Sequence, residues 1–284
     1  MRIALITDEV SDDAVTAIEL GAEWGIRDFE LRGFYGRRVP DFTPYQQERL
    51  EEALTRYGGR LISISPGLFK IPFPCGERER LPIPAIDEEF FLQRRASETL
   101  VQRHLNEFLP AAIAYALKMG VPRIGIFAFQ RGDRPAGAPP EGVVSALRQA
   151  AETAAAAGLE LAIEPEPGFW ADTGERTAEL VRLVDYPALG VNWDPCNALL
   201  AGDTPFPGGY RALRSLVKHV HFKDIRYLAA GWEFALDGVI PWGKQIEALE
   251  ADGYKGFIAI EPHMEPKVAS SRRAFERMRT MLGI

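Results

Sequence analysis

Short apolar runs that end on a polar residue alternate with longer segments of helical periodicity along the chain. Eight strand-like runs cover about residues 2–7, 27–31, 60–65, 122–128, 160–165, 189–194, 217–223 and 256–261. Amphipathic stretches follow them at about 12–24, 44–57, 97–119, 141–157, 175–184, 208–215, 243–252 and 269–282. Gly25, Gly58, Gly120, Gly158 and Gly253 stand where helices give way to strands, as helix C-termini prefer. Strand–helix alternation argues for an α/β chain with a parallel sheet. Eight units favour closure into a single (β/α)8 TIM barrel, with residues 1–284 as one domain. The competing architecture is an open doubly wound sheet. No Gly-x-Gly-x-x-Gly follows the first strand to support it.

The period of two within four of these runs carries the chemistry. Side chains on a strand point alternately to its two faces. If Glu164 points to the barrel axis, so does Ala162, and Leu161 and Ile163 face the helices. Asp194 shares its face with Asn192 and Gly190, leaving Val191 and Trp193 outside. Glu261 shares its face with Ala259 and Phe257, while His219, His221 and Lys223 share another. The pattern places Glu164, Asp194, His221 and Glu261 inside, at the C-terminal ends of four successive strands. Three carboxylates and one imidazole suit one divalent ion such as Mn²⁺, Mg²⁺, Co²⁺ or Zn²⁺ better than a thiolate-loving metal. The expected metal site is therefore the C-terminal rim. The plainer alternative makes these acids helix N-caps or loop residues after strands.

The composition, 46% hydrophobic and 26% charged, describes a globular chain with a sizeable core. A net charge of −7 disfavours a nucleic-acid partner. Cys75 and Cys196 are far apart and form no metal or disulfide signature. The opening residues lack a signal-peptide core, and no run approaches the ~20 apolar residues of a membrane span. The expectation is a cytoplasmic protein without a membrane partner, with association into a homo-oligomer left open. Two irregular regions are expected over the metal face. Residues 66–90, with Pro72, Pro74, Pro82 and Pro84, read as a lid or wall. Residues 130–140 form a polar loop whose Arg131 and Arg134 are candidates for an anionic substrate.

Four motifs then resemble the xylose isomerase-like barrel superfamily, in particular its sugar phosphate isomerase/epimerase branch. They are Ile163-Glu164-Pro165-Glu166-Pro167-Gly168, Val191-Asn192-Trp193-Asp194-Pro195-Cys196-Asn197, His219-Val220-His221-Phe222-Lys223-Asp224, and the stretch from Trp242-Gly243 to Phe257-Ile258-Ala259-Ile260-Glu261-Pro262-His263. The resemblance implies that Glu164, Asp194, His221 and Glu261 hold the metal. It also implies that Glu164 and Glu261 exchange protons with substrate. Glu166 lies two residues beyond Glu164 and can share its side, but Glu164 sits where the apolar strand ends. The family often has a histidine three residues after the aspartate, where this chain has Asn197, which departs from the epimerase pattern.

Lys223, next on the inner face above His221, is a candidate for a developing oxyanion, a phosphate or a carboxylate, or else for an ion pair with a rim acid. His219, one layer deeper, reads as a packed interior residue. Glu166, Asn197, Lys223, Arg226 and His263 are the substrate-binding candidates, and Trp170 a candidate pocket wall. The resemblance implies a divalent-metal-dependent isomerase or epimerase of a small sugar, sugar phosphate or sugar acid, working through a metal-stabilised enediolate. The alternative is a metal-dependent dehydratase of an inosose- or dehydroshikimate-like substrate. Either way the partner is a small polyhydroxylated molecule. Apurinic-endonuclease chemistry needs histidines beyond His104, His219, His221 and His263. A non-catalytic barrel with a structural metal is the remaining reading.

Overall fold

A computed structural model of the chain describes residues 1–74 and 97–284. Its parallel strands are β1 (Arg2–Ile6), β2 (Asp28–Leu31), β3 (Arg60–Leu68), β4 (Arg123–Ile126), β5 (Glu160–Ile163), β6 (Leu189–Trp193), β7 (Val217–Phe222) and β8 (Phe257–Ile260). They close in sequence order, β8 pairing with β1, into an eight-stranded barrel. The expected (β/α)8 fold is therefore present and the open sheet is excluded.

The alternation rule explains how the core divides. Ala4, Ile6, Ile62, Phe257 and Ala259 form a small apolar cluster of their own inside the barrel. Leu161, Ile163, Val191, Trp193, Val220, Phe222, Ile258 and Ile260 belong instead to the large cluster between barrel and helices. A one-residue slip of any strand would exchange these two sets. Gly190 faces a place already taken, because a Cβ there would meet the Lys218 side chain at 2.5 Å.

The helices start and stop as local chemistry dictates. Pro44–Tyr57 opens with a capping box, Thr43 and Gln46 each bonding the other's backbone, and closes on Gly58 at φ +61°. The stretch expected as one helix over 97–119 is interrupted. Glu98–Arg103 and Leu109–Met119 are α-helical, and His104–Phe108 between them is a π turn. Pro110 supplies the reason: it has no N–H to donate and its ring crowds the preceding turn, which one wider turn relieves.

Three small elements near the rim follow no long periodicity and were not anticipated. They are the two-stranded ribbon Gly33–Phe34 with Arg37–Arg38, the hairpin Ile225–Leu228 with Gly231–Phe234, and the short helix Pro195–Leu200. The expected cover at 66–90 is described only to Pro74, and its remainder lies outside the described residues. The described part continues from the C-terminal end of β3. It meets the 130–140 loop through the bridge Pro72–Gln130.

His104 fixes the start of that segment. Its ring is buried and its Nδ1 accepts the Phe69 N–H at 3.0 Å, which requires the neutral form. Burial pushes its pKa down to about 4. The folded value is below the unfolded one, so the unfolded chain takes up the proton first as pH falls. Stability from this residue is complete above about pH 6.5 and drains away toward pH 4. Between pH 7 and 5 the wild type should lose about 2 kcal/mol more than His104→Asn, which keeps an acceptor without titrating. Urea midpoints at the two pH values measure this, and equal losses would refute it.

Candidate metal centre

Glu164, Asp194 and Glu261 each directly follow the last residue of β5, β6 and β8, and His221 lies within β7. All four are buried, and one donor atom from each lies within 4.8 Å of the others. A divalent ion with contacts of ~2.0–2.3 Å needs donors within roughly 4.6 Å, twice that contact. The donor spacing is compatible with that reach, so the donor set fits one such ion.

Each side chain is held by a second partner. Asp194 Oδ1 accepts the Asn197 N–H at 2.8 Å and caps the helix Pro195–Leu200. Its other oxygen, Oδ2, faces the cluster, so Asp194 is an N-cap and a candidate ligand at once. That oxygen is buried without a well-directed hydrogen bond, and its near neighbour is Lys223 Nζ at 2.7 Å. His221 Nδ1 lies 3.2 Å from Glu164 Oε1 and 3.1 Å from Glu261 Oε2. Its Nε2 lies 3.2 Å from Glu30 Oε2, which also meets His219 Nε2 at 2.7 Å. With a cation bound, the ring would keep its proton on Nε2, donating to Glu30, and offer Nδ1; without one, the carboxylates on both sides favour a proton on each nitrogen. His219 is thus the packed interior residue its depth predicts.

Buried charges here are matched. Burial opposes ionisation of Glu261, but Lys223, His221 and Arg32 outweigh it and hold the carboxyl well below its usual value. Burial likewise opposes charge on Lys223 and His221, and the surrounding carboxylates overcome it, raising both well above normal. Asp194 goes the other way: complete burial raises its pKa despite Lys223. Burial and the neighbouring Glu164 also raise Glu166.

Glu164, His221 and Glu261 line a pocket of about 440 Å³, with Asp194 fully buried behind them. Glu166, Asn197, Lys223 and His263 line it, as expected of substrate-binding candidates. Asn197 Nδ2 is shared among Glu164 Oε1 at 3.3 Å, the Pro165 carbonyl at 3.0 Å and Glu166 Oε2 at 3.2 Å, so it positions both glutamates. His263 has φ +51°. Glu9 holds it there, accepting from its N–H at 2.9 Å and lying 2.7 Å from its Nδ1.

Four candidate residues lie outside the lining of this pocket. Arg226 is half exposed on the hairpin, paired with Glu233 at 2.6 Å, and lines a neighbouring surface depression that shares Phe234 and His263 with this pocket. The hairpin, which strand periodicity did not announce, carries it away. Trp170 is buried in the outer core, and Phe127 and Phe234 form the aromatic walls. Neither Arg131 nor Arg134 is among the lining residues. Arg131 instead braces the loop against Asp172 at 2.5 Å and the Phe169 carbonyl at 2.7 Å.

Residues from the first two strands complete the site without having been singled out. Arg32 binds Asp8, Glu9 and, at 2.5 Å, Glu261. The run Asp28-Phe29-Glu30-Leu31-Arg32 alternates like the others, and Phe29 and Leu31 belong to the outer core. Applied there, the same rule turns Glu30 and Arg32 inward.

Comparison with known proteins agrees with this fold. The chain is 23% identical to an inosose dehydratase of Lacticaseibacillus casei over 147 residues, 46% of this chain and about half the length of that relative, 49%. It superposes on a probable 3-DHS dehydratase from Bacillus anthracis with a TM-score of 0.72 at 19% identity, covering 98% of each chain. A D-allulose 3-epimerase from Methylomonas sp. in complex with D-allulose gives 0.70 at 14% identity, over 99% of this chain and 97% of that one. The family model described as xylose isomerase-like TIM barrel matches residues 18–281, and the chain belongs to that family.

Proposed function

We propose that this enzyme holds one divalent ion through Glu164, Asp194, His221 and Glu261, and isomerises or epimerises a small sugar, sugar phosphate or sugar acid by moving a proton at carbon. The carrying observation is the placement of Glu164 and Glu261. They rise from β5 and β8, three positions apart around an eight-stranded barrel, yet both meet His221 Nδ1 within 3.2 Å. A substrate over the cluster therefore has a carboxylate on either side. Removing a proton from one face and returning it to the other needs that arrangement.

When bound, the ion supplies Lewis-acid polarisation of neighbouring substrate oxygens. The chain's own groups do the rest. Lys223 and Arg32 keep Glu261 ionised, ready to accept a proton. Asn197 holds Glu164 and Glu166 in place. Phe127 and Phe234 give the pocket its aromatic walls.

Dehydration is the second reading, and Glu166 favours it. It lines the pocket beside Glu164 as a further carboxyl within reach of a departing hydroxyl, and burial together with Glu164 raises its pKa. Relatives named as dehydratases point the same way.

One experiment tests both. The protein is stripped with chelator, then titrated with Mg²⁺, Mn²⁺, Co²⁺ and Zn²⁺ by calorimetry. One ion per chain and a higher Tm are expected, since a ligand at 100 times its Kd contributes about 2.7 kcal/mol. The loaded protein is then incubated in deuterated solvent with ketoses, sugar acids and inososes. Deuterium entering a C–H bond without loss of water supports epimerisation or isomerisation, and loss of water supports dehydration. No binding by any of the four ions would sink the metal reading.

A further inference from the structure

Among the described residues the cations around the pocket are not all matched. Arg32 is shared by three carboxylates, Lys223 by Asp194 and Glu261, and Lys70 faces Glu166 at 3.0 Å. Arg38 differs. It ends the ribbon strand Arg37–Arg38, and its Nε donates to the Ser65 carbonyl at 3.0 Å. Among the described residues no carboxylate lies within ion-pair distance of its guanidinium, and both terminal nitrogens are left without an acceptor.

Its placement is defined by its neighbours. Gly67, at φ +79°, would bring a Cβ to 3.3 Å from Arg38 Nε, so the guanidinium lies over backbone that only glycine leaves open. Arg38 lines the same pocket as Ser65, Lys70, Glu164, Lys223 and Glu261. It is open to solvent at the mouth, yet protein crowds it and Arg32 repels it. Together these lower its pKa from the ordinary arginine value despite the more distant Asp8, Glu164 and Glu261. Among the described residues such a cation has no counter-charge beside it. Lys70, on the same turn as Gly67, stands 4.4 Å over the Phe127 ring and adds a second positive edge.

We propose that Arg38, flanked by Lys70, is the subsite for an anionic oxygen group of the substrate, a carboxylate or a phosphate, so that the enzyme prefers polyhydroxylated anions to neutral sugars. A guanidinium presents two parallel N–H groups that match either group in a bidentate pair. The inference rests on the reading of this pocket as the substrate site, but not on which reaction occurs there.

The test reads binding, so it stands apart from turnover. Magnesium-loaded wild type, Arg38→Gln and Arg38→Lys are titrated calorimetrically with D-gluconate, D-glucose 6-phosphate, D-sorbitol and D-glucose. The wild type should bind at least one anion about 10-fold or more tightly than its neutral counterpart. Arg38→Gln should weaken that anion about 10- to 100-fold and move the neutral probes less than about 2-fold. Arg38→Lys, which keeps the charge and loses the fork, should fall between and confirm that the pocket still folds. Gluconate against glucose 6-phosphate tells carboxylate from phosphate. Equal affinity for charged and neutral probes, no measurable binding of either anion, or an anion preference surviving Arg38→Gln overturns the proposal. If the expected pattern appears while no probe exchanges deuterium, the subsite stands and the proton-transfer reading fails.

Discussion

Glu164→Gln is expected to lower kcat by at least about 10²–10⁴-fold while leaving the fold largely intact. Amide replaces carboxylate at nearly the same size, and this carboxylate has few buried partners: His221 Nδ1 at 3.2 Å and the side-chain amide of Asn197 at 3.3 Å. What disappears is a negative donor and a group able to carry a proton. Glu261→Gln should be equally inactive but less stable. Its two oxygens face Arg32, Lys223 and His221, and removing one partner from buried pairs leaves cations uncompensated. Steady-state kinetics, metal content and urea midpoints on both variants separate the effects. Full activity in both with metal still bound would mean that neither carboxylate moves the proton, and Glu166 or His263 would become the candidate base.

The second large effect concerns a residue that never touches the ion. Arg32→Met should cost about 3–5 kcal/mol of stability, because Asp8, Glu9 and Glu261 lose their shared cation in a largely buried place. It should also move the pH dependence of activity. Arg32 is among the groups that hold Glu261 below its usual pKa, against the effect of burial. Without it that pKa rises, and the acid limb of the rate profile shifts to higher pH. Stability follows the same sign. An acid whose folded pKa is depressed contributes fully above the unfolded value of about 4.3 and loses that contribution as pH falls through the folded one. The variant should therefore show a smaller loss between pH 5 and 3 than wild type. A variant of normal stability with an unmoved acid limb would show that Lys223 and His221 alone control Glu261.

Much of this site was legible in the chain. The alternation around Glu164, Asp194, His221 and Glu261 depends only on the two-residue period of a strand, which tertiary structure cannot alter without turning apolar side chains into the barrel. Hence the fold, the inward register and the four converging donors follow from local pattern, and the same rule extends to Glu30 and Arg32. Helix ends at Gly58 and Gly120 were readable for a similar reason, since a left-handed residue is required there and glycine supplies it cheaply.

What only the tertiary structure decided lies in the rim. Arg226 and Arg38 are both arginines on short two-stranded ribbons. No periodicity separates them, yet one pairs with its own hairpin and the other reaches the pocket. Trp170 is packed into the core and Phe234 faces the pocket, because loop packing, not sequence spacing, sets which aromatic forms the wall. A strand residue's direction is determined by its neighbours in sequence. A loop residue's direction is determined by whichever distant segment closes against it, and that information exists only once the chain has folded.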